Sequence, residues 1–147
     1  MSLSHFTFSG TTYEQGLDHG ESLKESIKKN IEIYVNRFEN EVGISKNELL
    51  ENSGIYLNIL REQSPEYVNG MNGIAESSKL NLLEIAMLNL RYELLYHALG
   101  KKLQSDAIDG CTSFAILPEA TESNHLLIGQ NWDWIPDVDC VLTTSSD

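Results

Sequence analysis

Asp109-Gly110-Cys111-Thr112-Ser113-Phe114-Ala115 is the stretch at which this chain of 147 residues changes character. Before it, apolar residues recur every three or four positions, the spacing of helix faces; from it onward they alternate, the spacing of strands. The chain therefore reads as α+β, with a helical zone over 1–110 and a strand-forming zone over 111–147. A cysteine directly after glycine, at the start of a strand, has two readings. A lone cysteine is usually a small buried hydrophobe. Gly110, however, leaves the backbone free to take a strained geometry, and a bond so placed is one the chain could cut itself. The cut would expose a cysteine whose thiol is a nucleophile and whose α-amino group, with a pKa near 7.7–8.0, suits a general base. Thr112 and Ser113 could donate to the carbonyl under attack, or could simply favour a strand.

Working outward toward the N-terminus, His5 to Ser9 alternates weakly and reads as a short strand ended by Gly10. Thr12 with Gln15 has the form of a capping box. Leu23, Ile27, Ile31, Tyr34/Val35, Phe38 and Val42 then predict one long helix, stopped by Gly43. Ser45 with Glu48 opens a second helix through Leu60. Ser64-Pro65-Glu66 opens a third, with proline where its missing N–H costs nothing. Asn81 with Glu84 opens a fourth, running to Leu99 and ended by Gly100. This fourth helix is apolar on nearly every side, which belongs in the middle of a domain. Arg91 and Glu93 lie within it, and an ion pair is the expected means of accommodating them.

Toward the C-terminus, residues 111–117 and 125–131 read as a hairpin joined by a polar turn at Glu119-Asn124. Val138 to Thr143 reads as the start of a third strand. Two or three strands against four helices do not make a covered sheet, so an incomplete domain is expected.

Composition excludes several classes. With 10 basic and 22 acidic residues the net charge is -12, which argues against nucleic acid as a partner. Residues 111–147 hold no Lys or Arg and six acids, so half of that charge sits in the last quarter of the chain. No apolar run reaches the roughly 18 residues of a membrane span, and no signal peptide is read. A cytoplasmic location is expected, with Cys111 and Cys140 both reduced. No His, Cys or carboxylate spacing suggests a metal, no glycine loop suggests a nucleotide, and no cofactor is expected.

Two further stretches stand out. In Gly129-Gln130-Asn131-Trp132-Asp133-Trp134, two tryptophans bracket Asp133, a setting that tends to raise a carboxyl pKa. Asp133 could orient or activate a nucleophile, or could end the hairpin as a turn residue. Asn131 could be an oxyanion donor, or a turn asparagine. In Gly10-Thr11-Thr12-Tyr13-Glu14-Gln15-Gly16-Leu17-Asp18-His19-Gly20, Gly16 and Gly20 lie one helical turn apart and would let another backbone come close.

Gly10-x-x-x-Glu14-x-Gly16-x-x-His19-Gly20, Leu88-Asn89-x-Arg91-x-Glu93, Asp109-Gly110-Cys111-Thr112-Ser113 and Gly129-Gln130-Asn131-Trp132-Asp133 occur in an order that resembles the acyl-coenzyme A:6-aminopenicillanic acid (isopenicillin N) acyltransferases, peptidase family C45. The resemblance covers almost the whole chain. It implies an N-terminal nucleophile hydrolase with a four-layer αββα fold, here incomplete, made as a precursor and cut between Gly110 and Cys111. Residues 1–110 would then be the α subunit and 111–147 the start of the β subunit. Cys111 would be the nucleophile of self-cleavage and of acyl transfer through a thioester, and Asp133 the assisting aspartate. Thr112 and Asn131 stand as possible supporting residues. Family members continue beyond Asp147, in a part expected to hold most of the sheet and the oxyanion-hole asparagine. The implied substrate is a small-molecule amide, with acyl-coenzyme A as a possible acyl donor. Two alternatives belong beside this reading: a truncated, inactive chain acting as a binding or structural module, and a pure amidase or peptidase with no acyl-CoA.

Overall fold

The computed structural model describes residues 4–99, 111–131, 135 and 137–146. It is mixed α+β, mostly helical, with two small sheets. Residues 1–103 and 138–147 form one compact unit, and residues 104–137 form another.

The first unit opens with β1 (His5–Ser9) and α1 (Thr12–Ser22). Gly10 has φ +93°, and this turn places Thr11, not Thr12, at the helix cap. The Thr11 hydroxyl accepts from the Glu14 amide at 3.3 Å, and the Glu14 carboxylate accepts from the Thr11 amide at 2.8 Å. The capping box thus lies one residue earlier than the sequence suggested, and Gln15 instead donates to the Gly10 carbonyl at 2.8 Å.

The single long helix expected next is two. Leu23 (φ -120°, ψ 17°) separates α1 from α2 (Lys24–Arg37), while the amides of Leu23 and Ile27 still bond four residues back. The bend lets α1 follow one neighbour while α2 turns Ile27, Ile31, Tyr34 and Val35 into the core. A π-helical turn over Phe38–Val42 follows, closed as expected by Gly43 in the left-handed region at φ +79°. α3 (Lys46–Gln63) starts at Ser45, whose hydroxyl accepts from the Glu48 amide, and α4 (Pro65–Ser78) starts at its proline.

The fourth helix also breaks, at Leu90 (φ -100°, ψ 10°), into α5 (Leu82–Asn89) and α6 (Arg91–Leu99). Ile85, Ala86 and Met87 are buried in succession, which only a helix with neighbours on several sides allows. Arg91 is accommodated by the break itself. Its guanidinium donates to the Leu88 carbonyl at 2.7 Å and lies over the rings of Tyr92 (4.9 Å) and Tyr34 (5.7 Å). The ion pair expected for it is thereby replaced by a carbonyl and two ring faces, while Glu93 is exposed.

α1 and α4 meet backbone to backbone. A Cβ on Gly16 would collide with the Gly70 carbonyl, and one on Gly73 with the Tyr13 carbonyl. A Cβ on Gly20 would lie 2.5 Å from the Ile74 carbonyl. Gly16 and Gly20 therefore do what their one-turn spacing predicts.

β4 (Leu142–Ser146) completes this unit by pairing parallel with β1, in register from His5↔Leu142 to Phe8↔Ser145. The third strand thus starts later than expected, and its partner is β1. The reason lies in a contact between residues distant in sequence: the backbone N–H and C=O of Asp139 are both taken by the Asn30 side chain, at 2.8 and 3.0 Å, and cannot enter a ladder.

In the second unit, β2 (Thr112–Ile116) and β3 (Leu127–Asn131) form the expected antiparallel hairpin. Its connection runs through a short 3-10 turn, Pro118–Ala120. The Thr121 hydroxyl closes it, donating to the His125 carbonyl at 2.9 Å and accepting from the His125 amide at 3.2 Å.

Among the described residues, no helix is long and apolar enough to cross a membrane.

Candidate active site

Cys111 sits immediately before β2 and is exposed, so the buried-hydrophobe reading of this residue does not apply. Strand geometry fixes what lies beside it. Thr112 pairs with Asn131 in the antiparallel register, as Ser113 does with Gln130. Two residues proposed from sequence as supporting groups are thus brought opposite each other at the open end of the hairpin, next to Cys111. One step further in, Phe114 faces Gly129, and its ring occupies the space that a Cβ at Gly129 would need. Glycine at this position lets the aromatic ring lie flat across the partner strand, which locks the register. Gly110 and Asp133, with Trp132 and Trp134, lie outside the described residues.

Cys140 is half-buried, with its thiol 3.6 Å from the Val138 carbonyl. Neither of these cysteines is in a disulfide.

The N-terminal motif resolves into structural roles. Gly10 supplies the positive φ, Glu14 closes the capping box, and Gly16 and Gly20 admit α4. The Thr11 hydroxyl and amide hold the Glu14 carboxyl below its usual range. His19 stacks on Phe8 at 5.4 Å between ring centroids, and burial holds its imidazole below the ordinary value. The two rings form part of a cleft of about 260 Å³ lined also by Gln15, Tyr67, Met71 and Asn89.

The second motif acts at the α5–α6 break. Asn89 donates to the Ile85 carbonyl at 2.9 Å and accepts from the Tyr67 hydroxyl at 2.7 Å. Sequence reasoning gave Tyr67 no role, because nothing local links it to a residue 22 positions on. The quoted Leu88-Asn89-x-Arg91 pattern was the available signal. The Tyr13 phenol donates to Glu76 at 2.6 Å, which raises its pKa.

Asn30 and Lys29 were likewise missed. Lys29 pairs with the Asp139 carboxylate at 2.6 Å, and with Ser26 it holds that carboxyl below its usual range. Among the described residues, no three His, Cys, Asp or Glu side chains are arranged to hold a metal ion.

No protein-family model matches the chain. Over 130 residues, 88% of this chain, the sequence is 30% identical to a curated protein of Emericella nidulans, the acyl-coenzyme A:6-aminopenicillanic-acid-acyltransferase 40 kDa form. The chain spans about a third (34%) of that relative's length. The aligned span is long enough that at least part of it covers both the helical zone and the strand zone, whatever its ends. Over this span the chain is a distant homologue of acyl-coenzyme A:6-aminopenicillanic-acid acyltransferase, peptidase family C45.

Proposed function

We propose that this chain is the N-terminal part of a self-processing amide hydrolase or acyltransferase whose nucleophile is Cys111. The observation that carries the reading is the position of Cys111: an exposed thiol at the foot of β2, in a chain homologous to an acyltransferase.

Processing begins when the Cys111 thiolate attacks the Gly110 carbonyl carbon. The C–N bond breaks, the acyl group passes to sulfur as a thioester, and the nitrogen takes a proton to become an amine. Water then attacks the thioester, the C–S bond breaks, Gly110 leaves as a carboxylate, and sulfur recovers a proton. The freed α-amine, with a pKa near 7.7–8.0, can then accept the thiol proton and return it to a leaving amine. In turnover the Cys111 sulfur takes the acyl group from an amide or an acyl-CoA, and passes it to an amine or to water. Asp133 assists the nucleophile in this scheme. Asn131 and Thr112 offer donors beside the developing oxyanion, a contribution of about 2.7–4 kcal/mol where a donor is well aimed.

The same reading includes an αββα arrangement in the longer protein. Phe114, Ile116 and Leu127 on one face of the hairpin, and Ile128 on the other, are all exposed large apolar side chains. Strands of this composition suit a sheet covered on both faces.

Intact-mass spectrometry of the complete gene product tests the proposal. Two pieces, the second beginning at Cys111, are expected, with a single uncut chain for Cys111→Ala. An uncut parent protein would overturn the self-processing reading. Acyl release measured with and without an amine acceptor then separates transfer from hydrolysis.

A further inference from the structure

β1 and β4 lie on opposite sides, in sequence, of the Gly110-Cys111 bond, yet they form one parallel sheet. If that bond is cut, β1 belongs to one polypeptide and β4 to the other. We infer that Lys29 and Asn30 of α2 form a latch that grips the chain at Asp139 and holds the two pieces together after cleavage. This inference rests on the proposed cut, and it names the surface on which the second polypeptide docks.

The latch consists of three contacts on one residue. The Asn30 side-chain amide donates to the Asp139 carbonyl at 3.0 Å, and the Asp139 amide donates to Asn30 Oδ1 at 2.8 Å. A side-chain amide therefore reads the backbone as a neighbouring strand would, satisfying one donor and one acceptor at once. Lys29 Nζ adds an ion pair to the Asp139 carboxylate at 2.6 Å. Asn30 is half-buried, so its bonds are protected better than those of a fully exposed group.

Beyond Asp139 the chain runs into β4. The Leu142 amide donates to the Ser4 carbonyl at 2.9 Å, extending the register of the ladder. Thr144 Oγ1 lies 3.1 Å from His5 Nε2 and 3.2 Å from Thr7 Oγ1. A two-stranded pairing of this length is marginal by itself in water. Asn30 and Lys29 supply the fixed point that sets where β4 starts and spares the ladder from slipping.

The occupant of this surface is specific. It is residues 138–146, an acidic residue followed by an extended segment, presented to a helix that offers an amide and a cation side by side. A segment with a basic residue at position 139 would place like charges against Lys29.

The test uses the full-length protein with Cys111→Ala, so that no self-cutting occurs, and a flexible linker carrying a specific protease site inserted between residues 109 and 110. After complete cutting by the added protease, the two pieces are expected to co-elute and to be retained together on a tag at the N-terminus. Asn30→Asp is expected to weaken their association about tenfold or more, because it removes the amide donor and sets a carboxylate against a carbonyl. Lys29→Asp is expected to weaken it as well, and Lys29→Asp combined with Asp139→Lys to restore it. Restoration distinguishes the latch from a general folding defect. Pieces that separate in the parent, or that stay equally tight in Asn30→Asp and Lys29→Asp, would overturn the latch. Because the added protease makes the cut, this result is independent of whether Cys111 cleaves its own chain, which the parent and Cys111→Ala masses report separately.

Discussion

Gly16 of α1 and Gly70 of α4 meet with no side chain between them: the space that a Cβ on Gly16 would fill is held by the Gly70 carbonyl. Gly20 and Gly73 repeat the contact along the same pair of helices. The close approach sets α1 against α4 and thereby places His19 and Phe8 over the cleft that Tyr67 and Asn89 line from the other side.

Substitution at these glycines should divide by what surrounds them. Gly16→Ala forces two backbones apart and is expected to cost about 1–3 kcal/mol, as overpacking does. Gly54→Ala, in the middle of α3, meets only the Leu83 methyl at an ordinary 3.6 Å. It is expected to stabilise by up to about 1 kcal/mol through helix propensity. Urea unfolding of the two variants checks both signs. A Gly16→Ala variant as stable as the parent would remove the close contact as the reason for glycine.

Stability should fall as the solution is acidified through the histidine range, and His19 should carry part of the slope. Burial disfavours the charged imidazole, so folded His19 binds a proton less readily than the unfolded chain does. The contribution is fully present above the unfolded value of about 6.5 and is lost as pH falls below it, because the unfolded state takes up protons first. His19→Phe keeps a ring against Phe8 and removes the titration. Thermal midpoints measured from about pH 7.5 down to about pH 5.5 should therefore drop less in His19→Phe than in the parent.

The extent to which sequence revealed this structure depends on how local each cause is. Gly43, Pro65 and the hairpin were legible because a positive φ, a missing N–H and alternating apolar residues act within a few positions. The Gly16/Gly20 contact was legible from spacing alone, though its partner was not. The breaks at Leu23 and Leu90 were not legible, since hydrogen bonding and apolar spacing run through both. Arg91 was read as needing an acid, because sequence cannot show that a kink frees a carbonyl beside it. β4 was misplaced for a non-local reason: Asn30, 109 positions away, takes the backbone groups of Asp139. At the candidate site, the pairing of Thr112 with Asn131 follows from hairpin register, whereas Gly110 and Asp133 lie outside the described residues.

Arg91→Lys should not behave as a conservative change. The guanidinium is planar, donates to the Leu88 carbonyl, and lies over the rings of Tyr92 and Tyr34. A lysine ammonium can reach a carbonyl or a ring but does not stack in the same way. A loss of about 1 kcal/mol is expected, the scale of a half-exposed cation–π contact plus an imperfect hydrogen bond. Urea unfolding checks it, and a Tyr92→Leu variant should make Arg91→Lys less costly, since the stacking partner is then already absent.

Cys111 and Cys140 should differ in their reaction with iodoacetamide, and the difference bears directly on the proposed nucleophile. Alkylation requires an accessible sulfur, and the thiolate is the reacting form. Cys111 is exposed at the start of a strand, while Cys140 is half-buried with its thiol directed at the Val138 carbonyl. At neutral pH and short reaction times, peptide mapping should find Cys111 modified several-fold faster than Cys140. Lys29→Asp, which loosens the chain at Asp139, should raise the rate at Cys140 and leave Cys111 unchanged. Equal rates at the two cysteines in the parent would remove accessibility as an argument for Cys111. A Cys111 that resists the reagent would leave the chain without a usable nucleophile at this position and would favour a binding or structural role.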